Sequence, residues 1–291
     1  MKRVFALILG SVFWCSPAFG QGVSEKILYF PQVVIGGGQV NPDGSVIDGW
    51  EFSYKQMNKT SLYHEVEVTS SVYDSQGKPT PYKFFMKLQE NGGKALSEID
   101  QHGIPGWWFK TISGMSGYYV NTITIAATPE DPGLRIGWAQ VRQQFSATED
   151  IVVSGTLLMY SQGKVVSQVG VPVVEAAVEN HVQIYLSEAD SQATGIAIAN
   201  PYYDEEVSVT LEVLKSGTMF AKKTIVLPKA GHLSKFFSEL FPEYAREKEW
   251  LRSKSFGAVL KITSSKPVPV LALDTRQVPG ETFFMSILAA K

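Results

Sequence analysis

Glu206-Val-Ser-Val-Thr-Leu-Glu-Val-Leu-Lys-Ser216 sets Val207, Val209, Leu211 and Val213 at every second position, with Ser208, Thr210 and Glu212 between them. Side chains alternate faces along a strand, so the stretch has one apolar and one polar face. It has an earlier twin, Glu65-Val-Glu-Val-Thr-Ser-Ser-Val-Tyr-Asp-Ser75. Six of the eleven positions are identical, at an offset of 141. Self-similarity of this kind marks a duplicated structural unit, and here the unit is built from strands.

Working outward, a Gly-led strand ends at an Asn just upstream in both copies, Gly49 to Asn58 and Gly195 to Asn200. Downstream, Gly137-Trp-Ala-Gln-Val-Arg142 lies on Gly257-Ala-Val-Leu-Lys-Ile262 at an offset of 120, with only the Gly identical. Apolar strands follow each, Ile151–Met159 and Val268–Leu273. The fall in offset gives the first copy about 21 extra residues, expected as an inserted loop at about 89–118. Tyr119–Ala126 alternates as well. Turn signals stand at Asn41-Pro-Asp-Gly44, Ser75-Gln-Gly77, Asp131-Pro-Gly133, Gln162-Gly163 and Pro279-Gly280.

The expected fold is therefore all-β: two tandem immunoglobulin-like β-sandwich domains, at 21–174 and 175–291. A jelly-roll strand order fits the pattern equally. The link near Val174–Asn180 is neither Gly/Ser-rich nor Pro-rich, which predicts a restricted hinge. One segment reads as helical. Leu233, Phe236, Phe237 and Leu240 stand at helical spacing, and Pro242 can start a second turn through Glu243–Leu251. The expectation is a short helical crossover over 233–251.

Residues 1–20 read as a secretory signal peptide. Lys2 and Arg3 precede an apolar run from Val4 to Trp14, and Ala18-Phe19-Gly20 supplies the small residues of a cleavage site. Trp14 stands where a lipobox before Cys15 needs a small residue. Cys15 is the only cysteine, so the expected mature chain has none, and its cores must hold without disulfides. No later apolar run is long enough to span a membrane as a helix. With 26 basic and 28 acidic residues, the chain lacks the excess of positive charge that nucleic-acid binding needs. These features predict an exported bacterial protein, in the periplasm, at the cell surface or outside the cell, with no nucleic-acid partner and no membrane insertion after the signal is removed.

Five segments carry a resemblance. They are Leu28-Tyr-Phe-Pro31 with Gly36-Gly-Gly38; Gly137-Trp-Ala139; Gly155 to Val171; Leu227-Pro-Lys-Ala-Gly-His-Leu-Ser-Lys-Phe-Phe-Ser-Glu-Leu-Phe-Pro242; and Pro267-Val-Pro-Val-Leu-Ala-Leu273. Together they resemble a β-sandwich module found, often in tandem, in secreted or surface proteins of environmental bacteria, mostly uncharacterised. The resemblance spans nearly the whole mature chain, least well at 39–49 and 89–118. It implies fold and export, and transfers no catalytic residue.

The chain shows no catalytic pattern. None of His64, His102, His181 and His232 has another His, or a Cys, at metal-ligand spacing, and all four read as surface or capping residues. Gly114-Met-Ser-Gly117 falls one residue short of a nucleophile elbow. Gly36-Gly-Gly38 reads as a flexible turn without the Lys of a phosphate loop. Glu98/Asp100, Glu149/Asp150 and Glu205/Glu206 are sequence neighbours with nothing to mark them as a glycosidase pair. Asn41, Asp43 and Asp48 partly mimic a calcium loop but lack its distal Glu, and turn chemistry explains Asn-Pro-Asp-Gly without a metal. No cofactor is expected.

The most suggestive residues are Trp107, Trp108 and Phe109, with Tyr118 and Tyr119 after them. Gly103-Ile-Pro-Gly106 places the run in a loop. Exposed aromatic rings there would stack sugars or grip a protein; buried ones would plug the sandwich. The expected function is that of a non-enzymatic surface or extracellular binding or structural protein whose partner is a glycan or another surface protein. One alternative is a polysaccharide-binding or polysaccharide-active accessory protein. The other is a periplasmic chaperone of fibre subunits, although no basic anchor for a client carboxylate is evident.

Overall fold

The computed structural model describes residues 24–58, 64–74, 84–91, 94–100, 107–115, 120–145, 151–187, 192–215, 217–242, 257–278 and 281–287. The signal segment, Tyr118 and Tyr119 lie outside the described residues, and so does 243–251 of the expected crossover.

The first half of the chain forms β1 (Ser24–Ile35), β2 (Gly49–Asn58), β3 (His64–Asp74), β4 (Phe84–Asn91), β5 (Lys94–Asp100), β6 (Trp107–Met115), β7 (Val120–Ala127), β8 (Arg135–Phe145), β9 (Ile151–Ser161) and β10 (Lys164–Pro172). The second half forms β11 (Ala177–Ser187), β12 (Gln192–Ala199), β13 (Val207–Lys215), β14 (Thr218–Leu227), β15 (His232–Phe236), α1 (Phe237–Leu240), β16 (Gly257–Val268), β17 (Val270–Val278) and β18 (Glu281–Ile287).

The chain is all-β. The first half makes two five-stranded sheets, β1-β8-β3-β6-β5 and β10-β9-β2-β7-β4. They face each other across a core that includes Phe30, Phe52, Tyr54, Ile125, Val141 and Leu157. The second half repeats the order: β11-β16-β13-β14 in one sheet and β18-β17-β12-β15 in the other, the two meeting at the β11–β12 hairpin. The twin stretches are β3 and β13, and both lie inside their sheets. β13 buries Val207, Val209, Leu211 and Val213 against Leu260 and Ile262 of β16.

The duplication runs through the pairing. Val72 faces Ala139 across β3–β8, and Val213 faces Leu260 across β13–β16. The second block is therefore offset by 121, not 120. A one-residue slip turns every side chain to the opposite face, and a match resting on a single Gly could not fix that parity. The described part of the first copy's extra residues is strand, not loop. Among the described residues β4 and β5 have no counterparts in the second half, and each adds an outer strand to one sheet; residues 107–115 are β6, the counterpart of β14.

The helical crossover also needs correction. Leu233 and Phe236 belong to β15, which pairs with β12 from His232↔Ala199 to Phe236↔Gly195. Phe237–Leu240 makes a helical turn, closed by the Phe236 N–H donating to Glu239 Oε2 at 2.7 Å, and Pro242, at the edge of the described residues, is helical again as expected. An isolated helix this short is marginal, and pairing with a sheet wins.

β1 and β10 are the outer strands on the same side of the two first-half sheets, so the sandwich opens there. β12 and β17 cover that opening. Ile196, Ile198, Val270 and Ala272 point into the second core, while Ala197 and Leu271 complete the first. Burial on both faces explains why Gly195-Ile-Ala-Ile-Ala199 and Val270-Leu-Ala-Leu273 are continuously apolar rather than alternating. The link at Val173–Ala176 is tied as well: Tyr29 and Val174 exchange two backbone hydrogen bonds of 2.9 Å.

Gly36-Gly-Gly38 is fixed rather than flexible. Gly36 exchanges hydrogen bonds with Trp50, and the Gly37 N–H donates to Pro132 O at 2.8 Å. Gly36 has φ +73°, and a Cβ there would overlap Gly133 O and come within 2.9 Å of Pro132 O. Gly36→Ala is expected to cost about 2 kcal/mol, read as a lower urea midpoint at unchanged slope.

Candidate functional site

The β1 strand carries a bulge between Phe30 and Val33, where its register with β8 shifts. Bulges re-aim side chains. Here Pro31 turns its carbonyl toward β15, and the His232 imidazole Nε2–H donates to it at 2.6 Å. His232 is buried, not a surface residue. Burial pushes its pKa down to about 4, against a smaller upward pull from the Pro31 carbonyl. Its Nδ1 has no partner.

Trp138 of β8, fully buried, is a second peg across the same seam. Its indole N–H donates to Ala230 O at 2.8 Å. Tyr29, Ala199 and Ala230 pack around it, and Tyr203 OH donates to Gln140 Oε1 at 3.2 Å nearby. The turn that presents Ala230 is held by Asn200, whose side-chain N–H groups donate to Glu205 O and Pro228 O, both at 2.8 Å.

Beside these pegs the two halves leave a cavity of about 360 Å³. Gln32 and Val34 of β1, Leu157 of β9 and Val169 of β10 form one wall, and Gly195, Ile196 and Ala197 of β12 form the other. Leu134, Ile136 and Phe236, at 48%, 36% and 41% exposure, surround the mouth with Lys235 and Glu239. An exposed apolar rim around a concave apolar space is the ordinary form of a ligand site. Gln32 supplies the polar group of the inner wall. It is 6% exposed, and its Oε1 has no hydrogen-bond partner. A buried, unpaired amide oxygen is uncommon, and this one is sealed within the wall rather than open to the cavity.

The residues singled out from sequence lie elsewhere. Trp107, Trp108 and Phe109 begin β6 rather than standing in a loop; they pair with Val72, Ser71 and Ser70 of β3, and Trp108 and Phe109 also pair with Asp100 and Ile99 of β5. The Asn41–Asp48 segment is a set of turns. Asp43 Oδ1 accepts from Ser45 N–H and Oγ–H at 2.9 and 2.6 Å, Asn41 Nδ2 donates to Ser45 Oγ at 2.8 Å, and Asp48 Oδ1 accepts from Gln162 N–H at 2.9 Å. The two carboxylates serve different turns. Among the described residues no three His, Cys, Asp or Glu side chains gather as a metal site.

Sequence reasoning missed Gln32, Gly195, Lys235 and Phe236. A signal existed for Gln32 alone, as the single polar residue in the apolar run Leu28–Ile35. No protein-family model, curated protein or solved structure matches this chain.

Proposed function

We propose that this is an exported, non-enzymatic binding protein that holds a small ligand in the cavity between its two halves. The observation that carries the reading is the seam cavity itself, apolar-walled and open through a hydrophobic rim. Export rests on the signal-like residues 1–20 and on the resemblance to the tandem sandwich module. The finer architecture we propose is two immunoglobulin-like units. The β12–β15 and β13–β16 pairings support it, with β17 joining β12 where the immunoglobulin order would keep it beside β16.

Gly195→Leu tests the site. A Cβ at Gly195 meets the Phe236 ring at 3.7 Å and Leu273 O at 3.6 Å, ordinary contacts, so the start of the added side chain fits and its remainder enters the cavity. The exported chain is expected to be stabilised against heat by members of a panel of small apolar molecules, with none of that gain in Gly195→Leu. Glycan binding lost on Trp107→Ala/Trp108→Ala, with no small-molecule response, would replace this reading with the polysaccharide one.

A second reading, capture of a partner's strand, has one observation in its favour. Among the described residues β14 pairs with β13 alone, and it exposes Met219 and Val226 at 54% and 59%. Open edges template strand addition. Co-purification of an exported subunit, lost on Val226→Lys, would support it.

A further inference from the structure

We infer that the seam cavity takes a flat, uncharged aromatic ring, set edge-on against the bare backbone of Gly195 between the side chains of Leu273 and Phe236. The inference rests on the cavity being the ligand site and names the chemistry and the pose of what enters it.

Gly195 stands inside β12, with β15 on one side and β17 on the other. Glycine weakens a strand interior, and it is found there at a bulge, at a tight bend, or where another backbone or a ligand comes close. The folded chain itself gives no reason for it here. β12 keeps an unbroken register with both neighbours through Gly195, so there is no bulge or bend. Its φ is not positive. A Cβ would meet Leu273 O at 3.6 Å and the Phe236 ring at 3.7 Å, ordinary contacts, so no neighbour excludes a side chain. What remains is the cavity, whose wall Gly195 forms.

The pairing sets the shape of that spot. Leu273, Gly195 and Phe236 lie opposite one another on adjacent strands and so share a face. The outer two are two strand spacings apart, about 9.5 Å, and carbon contacts of about 3.5–4 Å on each side leave room between them for one layer of atoms. A flat ring fits such a slot, and Phe236 and Trp50, both at the cavity, offer it aromatic contacts. The walls set the charge. Val34, Leu157, Val169 and Ala197 are buried alkyl groups, among which an ionised group would lose its hydration without gaining a counter-charge. At the mouth Lys235 and Glu239 are exposed and opposite in sign, so the entrance has no net charge with which to choose an ion.

Titration of the exported chain with toluene, methylcyclohexane and benzoate, followed by the rise in melting temperature, separates flat from puckered and neutral from charged at one size. The expected result is binding of toluene about fivefold or more tighter than either of the others. Gly195→Ala should melt no lower than the parent, because it removes the cost of a strand glycine at a position with room for the methyl group. It should nevertheless bind toluene about tenfold or more weakly, because that methyl group takes the floor of the slot. Equal binding of toluene by Gly195→Ala and the parent, a melting temperature lowered in Gly195→Ala, or binding of methylcyclohexane or benzoate as tight as that of toluene would overturn the inference. If toluene binds the parent and Gly195→Ala alike but not Gly195→Leu, the cavity reading stands and the slot falls. If none of the three binds the parent, both fall.

Discussion

Trp138→Ala is expected to cost about 4 kcal/mol, the largest loss foreseen for a single side chain in this protein. The indole is fully buried between the halves, and truncating a buried Trp removes its transfer energy and leaves a cavity, typically costing about 3–5 kcal/mol. Its N–H is also a donor to Ala230 O, at 2.8 Å. Ala230 has φ +51° and sits two residues after Pro228 in the turn closed by the Gly231 N–H donating to Pro228 O, a position that such turns usually give to glycine. The indole therefore pairs the carbonyl of a strained residue. Trp138→Phe separates the two roles, since it keeps most of the ring and loses the N–H; about 1–2 kcal/mol is expected. Urea unfolding of the three chains measures both steps. A loss below about 1 kcal/mol in Trp138→Ala would mean that the seam does not hold the halves together.

Strand content and duplication were legible because they rest on a local rule. Period-two alternation in Val207–Val213 needs only that one face be buried, and the pairing bears it out. What the seam does was not legible, and the reason is physical. A strand buried on both faces reads as a plain apolar run, so Gly195–Ala199 gave no sign that Ile196 and Ala197 serve different cores. The Leu233–Leu240 spacing suits a helix, yet the same residues suit a strand that ends in one helical turn. Only the neighbouring β12 decides between them.

In the sequence alone nothing says why the resembling segments belong together. In the fold three of them meet. Leu28-Tyr-Phe-Pro31 supplies the carbonyl that His232 binds, Gly137-Trp-Ala139 supplies the indole that Ala230 receives, and Leu227–Pro242 supplies both recipients. Trp107, Trp108 and Phe109 drew notice for their composition, but the residues that line the cavity are ordinary ones. Gln32 and Gly195 become informative only once β1 and β12 are set face to face.

His232 makes the seam sensitive to acid, with a sign that follows from its surroundings. In the unfolded chain its pKa is near 6.5, and in the fold burial lowers it to about 4. Between these values the unfolded chain takes up a proton that the folded chain refuses, so stability is fully present above about pH 6.5 and falls as the pH drops toward 4. At about 1.4 kcal/mol per pKa unit, the loss is about 2 kcal/mol by pH 5 and about 3 kcal/mol by pH 4. Protonation would place a charge on Nδ1, which has no partner within the seam. His232→Gln removes the titration while leaving an N–H able to reach Pro31 O. Its urea midpoint at pH 7 should lie at or somewhat below the parent's, and its decline between pH 6.5 and 4 should be much shallower. An NMR titration of the folded parent gives the direct check: between pH 7 and 5 the His232 ring signals should move by no more than about a tenth of their full protonation shift. A midpoint near 6.5 would show an imidazole in contact with water, and the buried Pro31–His232 hydrogen bond would have to be abandoned.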